Sequence, residues 1–296
     1  MTPANQLSKS FTYKSLISKS FKVTGRQVLP GFALSLGISL LFISLVLLLP
    51  LSGLLIQTAG MSWADYWAVV TDPRVMASYQ VTLLMALGAS LLNGLVGLLV
   101  AWVLVRYTFP GKRLIDALVD LPFALPTAVA GITLATLFSA SGWYGQGLAK
   151  LGIQVAYTPL GILIAMLFTS LPFVVRNVQP VMEDLNSGDE EAALSLSAKD
   201  WTVFRRVIFP AIWPALVMGV VLSFIRSLGE FGAVIFIAGN MPYLSEVTSL
   251  MIFVRLQEFD YAAASAIASV ILMASLLLLF AVNVWQTRYL KRLKGN

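Results

Sequence analysis

Arg226 and Glu230 stand four residues apart in the apolar stretch RSLGEFGAVIFIAGN (226–240), a spacing that sets both on one helix face and lets them pair. A charge at the centre of a bilayer costs roughly 2.5–3.5 kcal/mol on insertion scales, so such groups usually face a bundle interior or an aqueous path. Two readings follow. In one, the pair lines a translocation route: Arg226 meets a tetrahedral anion, Glu230 holds the guanidinium when the route is empty, and Gly229 and Gly232 let backbone approach the ion or a neighbouring helix. In the other, the pair is a strut that fixes helix packing. Pro126 and Thr127, with Pro122, Thr133 and Thr136, mark a second stretch of interest. Proline breaks the backbone ladder and kinks a span, and threonine hydroxyls bond an anion or a freed carbonyl; packing alone would also use them. Asp116 and Asp120 would repel an oxyanion and read better as a solvated helix start. With no His and no Cys, the chain lacks the commonest general base, the commonest metal ligand and any thiolate, so no catalytic residue, metal or cofactor is expected in it. A membrane enzyme would lack the groups for acid–base work.

The elements that carry these residues must be membrane helices. Of 296 residues, 58% are hydrophobic and 11% charged, with a mean hydropathy of +0.84. That leaves too little polar surface for a soluble fold of this length. Continuous runs such as LFISLVLLLPLSGLLI (41–56) exclude the alternating pattern of barrel strands, so the fold class is all-α, a polytopic helical bundle. Six spans are predicted, at 29–57, 79–105, 114–139, 157–179, 209–238 and 261–286. Ala86, Ser90, Gly94, Gly97 and Ala101 form a small-residue series along the second, which implies close helix contact. The net charge of +6 reflects loop asymmetry, not nucleic-acid binding: 16 Lys and Arg fall on one side of the predicted membrane and only Arg74 and Lys150 on the other. The positive-inside rule then puts both termini in the cytoplasm. The predicted organisation is an N-terminal tail (1–28), a transmembrane domain (29–286) containing a long cytoplasmic loop (187–208), and a basic tail (287–296). Phe11, Leu16, Ile17 and Phe21, interleaved with lysines, suit either a membrane-surface tail or a solvated one.

The long loop has room for structure of its own. Ser187-Gly188-Asp189-Glu190 has capping-box spacing and starts a helix at Asp189–Leu196. Ser197-Ala198-Lys199-Asp200 offers a second cap, and Trp201, Phe204, Val207 and Ile208 follow at helical spacing. Such a helix–turn–helix suits either a knob for a partner's groove or an amphipathic segment on the bilayer.

Glu191-Ala192-Ala193, a small residue at Ser197 and then Pro210 resemble the EAA loop of permease subunits of binding-protein-dependent ABC importers. Val207 and Phe209 stand for the family's Ile and Leu, and Ser197 for its Gly. Since Gly accepts φ > 0 and Ser resists it, Ser197 is expected to serve as an N-cap with extended dihedrals. DLPFALPTAVAGITL (120–134) and 226–240 look similar to the sulfate and molybdate permeases, above all to the T-subunit branch of the sulfate/thiosulfate permeases. The resemblance implies a type I importer fold in a bacterial inner membrane. It implies a coupling helix with Glu191, Ala192, Ala193, Ser197 and Pro210 at the contact with two copies of an ATPase subunit. It also implies a second, related permease and a periplasmic sulfate-binding protein. The chain has no G-x-x-x-x-G-K-[ST], so ATP binding and hydrolysis are assigned to the partner. Molybdate or tungstate transport is the nearest alternative. An ion-coupled secondary transporter, with Glu230 as coupling site, would ordinarily show an internal repeat, and none is found.

Overall fold

The computed structural model describes residues 32–294, and among these every regular element is a helix. The reading of the N-terminal tail, and the side chains of Lys291, Arg292 and Lys294, lie outside the described residues.

The first helix, α1, runs from Phe32–Ile43 through a π-helical turn, Ser44–Leu48, into Leu49–Ala59. Pro50 has no N–H for the residue four before it, and the helix widens just ahead of it. The helix α2 (Trp63–Val70) is capped by Ser62, whose Oγ accepts from the Asp65 N–H at 3.1 Å. Helix α3 (Pro73–Arg106) has Pro at its first turn and Asp72 as its cap, accepting from the N–H groups of Arg74 and Val75. Three short helices follow, α4 (Lys112–Val119), α5 (Leu121–Ala124) and α6 (Thr127–Phe138), then α7 (Trp143–Ala149) and the long α8 (Pro159–Glu183). Beyond α9 (Ser187–Ser195), α10 begins at Asp200–Val203, passes through a second π-helical turn, Phe204–Ile208, and continues as Phe209–Leu228. This turn, too, ends two residues before a proline, Pro210. The chain closes with α11 (Val234–Ile237), α12 (Thr248–Gln257) and α13 (Tyr261–Lys294).

Five helices among the described residues are long and apolar enough to cross a membrane: Leu34–Ala59, Pro73–Arg106, Pro159–Glu183, Asp200–Leu228 and Tyr261–Arg288. The stretch expected as the third span, 114–139, is not one helix. Pro122 opens α5 and Pro126 is the N-cap of α6, so the prolines break the span where a kink was expected. The stretch expected at 209–238 ends at Leu228, where Gly229 terminates the helix.

The core is the mutual crossing of α3, α8 and α10. The small residues foreseen on α3 make it possible: Ala86, Ser90, Gly94, Gly97 and Ala101 are all buried. A Cβ on Gly97 would lie 2.8 Å from Val174 Cβ on α8, and one on Gly94 2.9 Å from Val220 Cγ2 on α10. Gly219 on α10 answers with a Cβ position 2.9 Å from Val174 Cα. Two apolar clusters flank the crossing, one around Ala89, Met166 and Leu228, the other around Leu104, Val178 and Ile212. Between them lies a polar hub. Asn93 Nδ2 donates to Leu167 O (3.1 Å) and Ser170 Oγ (2.9 Å), and Ser223 and Ser227 each donate to a partner in the same cluster. All four side chains are buried.

Gly97→Val is expected to push α3 from α8 and cost about 1–3 kcal/mol, read as a lower thermal midpoint and less folded protein. Gly147→Ala, where an added Cβ meets nothing within 4 Å and the helix favours Ala over Gly, is the control and should lower neither.

Candidate translocation and coupling sites

The loop between α8 and α10 folds as two short helices, with two changes to the expected chemistry. The cap of α9 is Asn186, not Ser187: its Oδ1 accepts from the Gly188 N–H at 3.0 Å, and the helix starts at Ser187. Glu190 therefore does not turn back to the backbone. It meets Arg106, at the end of α3, in a two-pronged pair with Nη2–Oε1 at 2.6 Å and Nη1–Oε2 at 2.9 Å. Arg106 also lies over the Trp102 ring, 5.2 Å from its centroid.

Ser197 is the second change. Its φ is +60°, the left-handed conformation, and not the extended one of an N-cap. The N–H of Ser197 donates to Leu194 O at 2.9 Å and that of Ala198 to Ala193 O at 3.2 Å, which is the Schellman pattern that ends a helix. Ser thus takes the backbone shape a glycine favours, and the next helix begins after Lys199 without a side-chain cap. The outer face of this knob carries Glu191, Ala192, Ser195, Leu196 and Ser197, all exposed, with Leu196 at 84%. Ala193 and Ala198 turn inward onto the cluster around Leu104 and Ile212. Pro210 follows the π-helical turn that joins the knob to α10.

At the other end of α10, Arg226 lies in the helix's last turn and Glu230 just beyond its C-cap, so they do not share a continuous helix. They meet all the same: Arg226 Nη1 is 2.8 Å from Glu230 Oε2, at an angle off the hydrogen-bond line. Glu230 is 1% exposed, while a third of the Arg226 side chain is open. Glu230 Oε1 accepts from the Ala233 N–H at 3.0 Å, and its carbonyl accepts from Ser249 Oγ at 2.7 Å. The carboxylate therefore shapes the chain after α10 as well as pairing with Arg226. Gly229 is exposed, with open space where a Cβ would be.

Pro126 and Thr127 come to the same region. A Cβ on Gly232 would collide with Thr127 Oγ1, and one on Gly131 with the Ala233 carbonyl, so the first turns of α6 lock against residues 232–233. Arg226, Gly229, Glu230 and Thr127 thus belong to one neighbourhood. Thr133 and Thr136 do not extend it: each hydroxyl donates to a carbonyl one turn back in α6.

Asp116 and Asp120, whose side chains are 40% and 49% exposed, do more than begin a solvated helix. Both bind Arg176 of α8, with Nε and Nη2 on Asp120 at 2.8 and 2.7 Å and Nη1 on Asp116 at 2.7 Å. Gln179 and the Asp116 carbonyl take the remaining reach of the guanidinium. This clamp holds the broken third span to α8. A further pair, Arg74 with Glu246 at 2.7 and 2.8 Å, ties the start of α3 to the loop before α12. Its partners are 172 residues apart, a separation that gives the sequence no local signal.

A polytopic helical permease with a protruding two-helix loop is the class this arrangement defines. The fold is that of type I importer permeases: a bacterial alginate ABC transporter, crystallised with its alginate pentasaccharide-bound periplasmic protein, has a chain that superposes with a TM-score of 0.72 over 87% of this one and 94% of its own, at 16% identity. The chain belongs to the family described as binding-protein-dependent transport system inner membrane component, which matches residues 93–295. It is 66% identical to the sulfate transport system permease protein CysT of Escherichia coli over 93% of this chain and all of that one. It is 46% identical to the CysT protein of Synechocystis over 85% of this chain and 89% of that one.

Because the left-handed conformation costs an ordinary residue on the order of 1–2 kcal/mol, Ser197→Gly should raise the thermal midpoint of the purified protein slightly and leave the knob's shape intact. Ser197→Val, which resists φ > 0 far more, should lower it.

Proposed function

We propose that this chain is a transmembrane permease subunit of an ATP-driven importer for sulfate and thiosulfate. The observation that carries the reading is the 66% identity, over nearly its whole length, to a sulfate permease. Molybdate and tungstate are close in charge and shape and form the alternative substrate class. In this reading the chain has no ATPase of its own and binds no cofactor. It works with two copies of an ATPase subunit, a second related permease and a periplasmic sulfate-binding protein. Both termini and the α9 knob face the cytoplasm, an orientation supported by the distribution of Lys and Arg.

Within it, the exposed Glu191, Ala192 and Ser197 meet the ATPase, and Ala193 seats the knob on the core. Pro210 keeps the junction to α10 fixed. Arg226 is the anion contact. Arg176 is already engaged by two aspartates and a glutamine, whereas Arg226 holds a single ion pair. Gly229, Pro126 and Thr127 line the same route. Glu230 argues against the ion-coupled alternative, because one of its oxygens faces Arg226 and the other accepts from the Ala233 N–H.

Labelled sulfate uptake, with molybdate as competitor, tests this in cells lacking the chain and in cells with it restored. Uptake should return and should end when the ATPase is inactivated; uptake that survives ATPase loss would overturn the importer reading. Glu191→Arg should abolish uptake without reducing the amount of protein in the membrane. For Arg226→Lys, the charge is kept and the planar fork lost, so uptake per assembled complex should fall; a parallel fall in complex amount would instead make the pair a strut.

A further inference from the structure

Helix α2 joins the span that ends at Ala59 to the one that opens at Pro73, and neither the coupling contact nor the anion route uses its two tryptophans. Trp63 is 76% and Trp67 56% exposed, and the Trp63 ring stacks on both Tyr66 and Trp67, with centroids 5.7 and 5.9 Å apart. Successive residues turn by about 100°, which divides α2 into sectors. Tyr66, Val69 and Val70 face the protein: Val70 is buried, Val69 packs on the cluster of Val75, Tyr79, Met251 and Ile267, and Tyr66 Oη lies 3.1 Å from Ser269 Oγ of α13. The indoles flank that sector on one side, and exposed Asp65, which accepts from Ser62 Oγ, flanks it on the other. The Tyr66–Ser269 contact fixes the level of α2 in the membrane. From Tyr261 to Thr287 α13 carries no charge, and Asn283 to Arg288 mark its polar end. Counting back about 20 residues, the length that crosses the hydrocarbon, puts the opposite boundary at roughly residues 263–268. Ser269 lies just inside it. Met273, one turn deeper on the same face of α13, is exposed and apolar. Helix α2 is therefore level with the edge of the hydrocarbon, where it continues the apolar surface that the bilayer covers.

We infer that α2 is an in-plane anchor whose partner is the lipid surface, with the indoles of Trp63 and Trp67 at the headgroup boundary and Asp65 turned to water. An indole suits that boundary because its ring is apolar and its N–H donates. The indole flank carries no charged side chain, so the contact does not select lipids by charge. Through Tyr66 and Val69 the anchor ties the start of α3 and of α13 to that depth. The placement in the membrane rests on the spans alone; that this is the outer leaflet rests on the orientation proposed above.

The chain has no cysteine, so nitroxide labels on Trp67→Cys and on Ala68→Cys report the two flanks separately. The assembled transporter, with cysteine-free partner subunits, is placed in phosphatidylcholine vesicles, and each label's collisions with oxygen and with a water-soluble nickel chelate are measured. The label on Trp67→Cys should favour oxygen and that on Ala68→Cys the chelate. Because Trp67→Cys removes one anchor, the unlabelled protein supplies a second reading. Lipids brominated near the headgroup should quench its tryptophan fluorescence, and Trp63→Phe with Trp67→Phe should lose more of that quenching than of the quenching by lipids brominated near the chain end. Replacing part of the phosphatidylcholine with phosphatidylglycerol should leave the loss the same. Equal exposure of both labels to the chelate would put α2 in water and overturn the inference. So would protection of the Trp67→Cys label from both reagents, which marks cover by another protein, or quenching unchanged in the Phe variant. Failure of the importer reading would appear differently, as uptake independent of the ATPase with the label depths unchanged.

Discussion

The close approach of α3, α8 and α10 is the constraint on which the rest depends. Between helices in a bilayer there is no hydrophobic driving force, since lipid tails are as apolar as leucine; packing and buried polar contacts must supply the association. Gly94, Gly97 and Gly219 remove the side chains that would hold the three axes apart. Asn93, Ser170, Ser223 and Ser227 then bond across the gap, where their only alternative is an unsatisfied group in hydrocarbon. A three-helix post results, and four less regular stretches are fastened to it by arginines.

The fastenings share a pattern. In each, an arginine near one end of a long helix grips an acid on a short or irregular segment: Arg74 with Glu246, Arg106 with Glu190, Arg176 with Asp116 and Asp120, Arg226 with Glu230. Arginine suits the task because its planar fork bonds two carboxylate oxygens at once and so fixes direction as well as distance. Three of the four are two-pronged or better. Arg226 is the exception, with one off-line contact to Glu230.

The parts of this architecture that could be read from sequence are those with a local period. The apolar runs, the small-residue series on α3 and the EAA loop each repeat or cluster within a few turns. The pairing of Arg226 with Glu230 was visible for the same reason, although the helix stops between them and their meeting owes more to the turn at Gly229. The clasps Arg106–Glu190 and Arg74–Glu246 carry no such trace: a carboxylate 84 or 172 residues away has no phase relation to its partner. The clamp that Asp116 and Asp120 form was not legible for the same reason, since their partner lies on another helix. Pro122 and Pro126 announced a disturbed span, but two prolines four apart end a helix and start another, and a kink accounts for only one. Ser197 shows the opposite limit. Residue type argued for an extended cap, and the Schellman bonds at the end of α9 outweighed it.

The knob divides its work between adjacent acids. On a helix, neighbouring residues point about 100° apart, so Glu190 can face the protein while Glu191 faces out. The inward acid is bound to Arg106, and Arg106 ends the helix whose small residues pack against α8 and α10. In the importer reading, a push on the exposed face of α9 therefore has two stiff paths into the membrane: through Glu190 to α3, and through the π-helical turn before Pro210 into α10. Both converge on the same three-helix post. Arg226 lies in the last turn of α10, so in that reading the helix that leaves the knob is also the one that carries the anion contact.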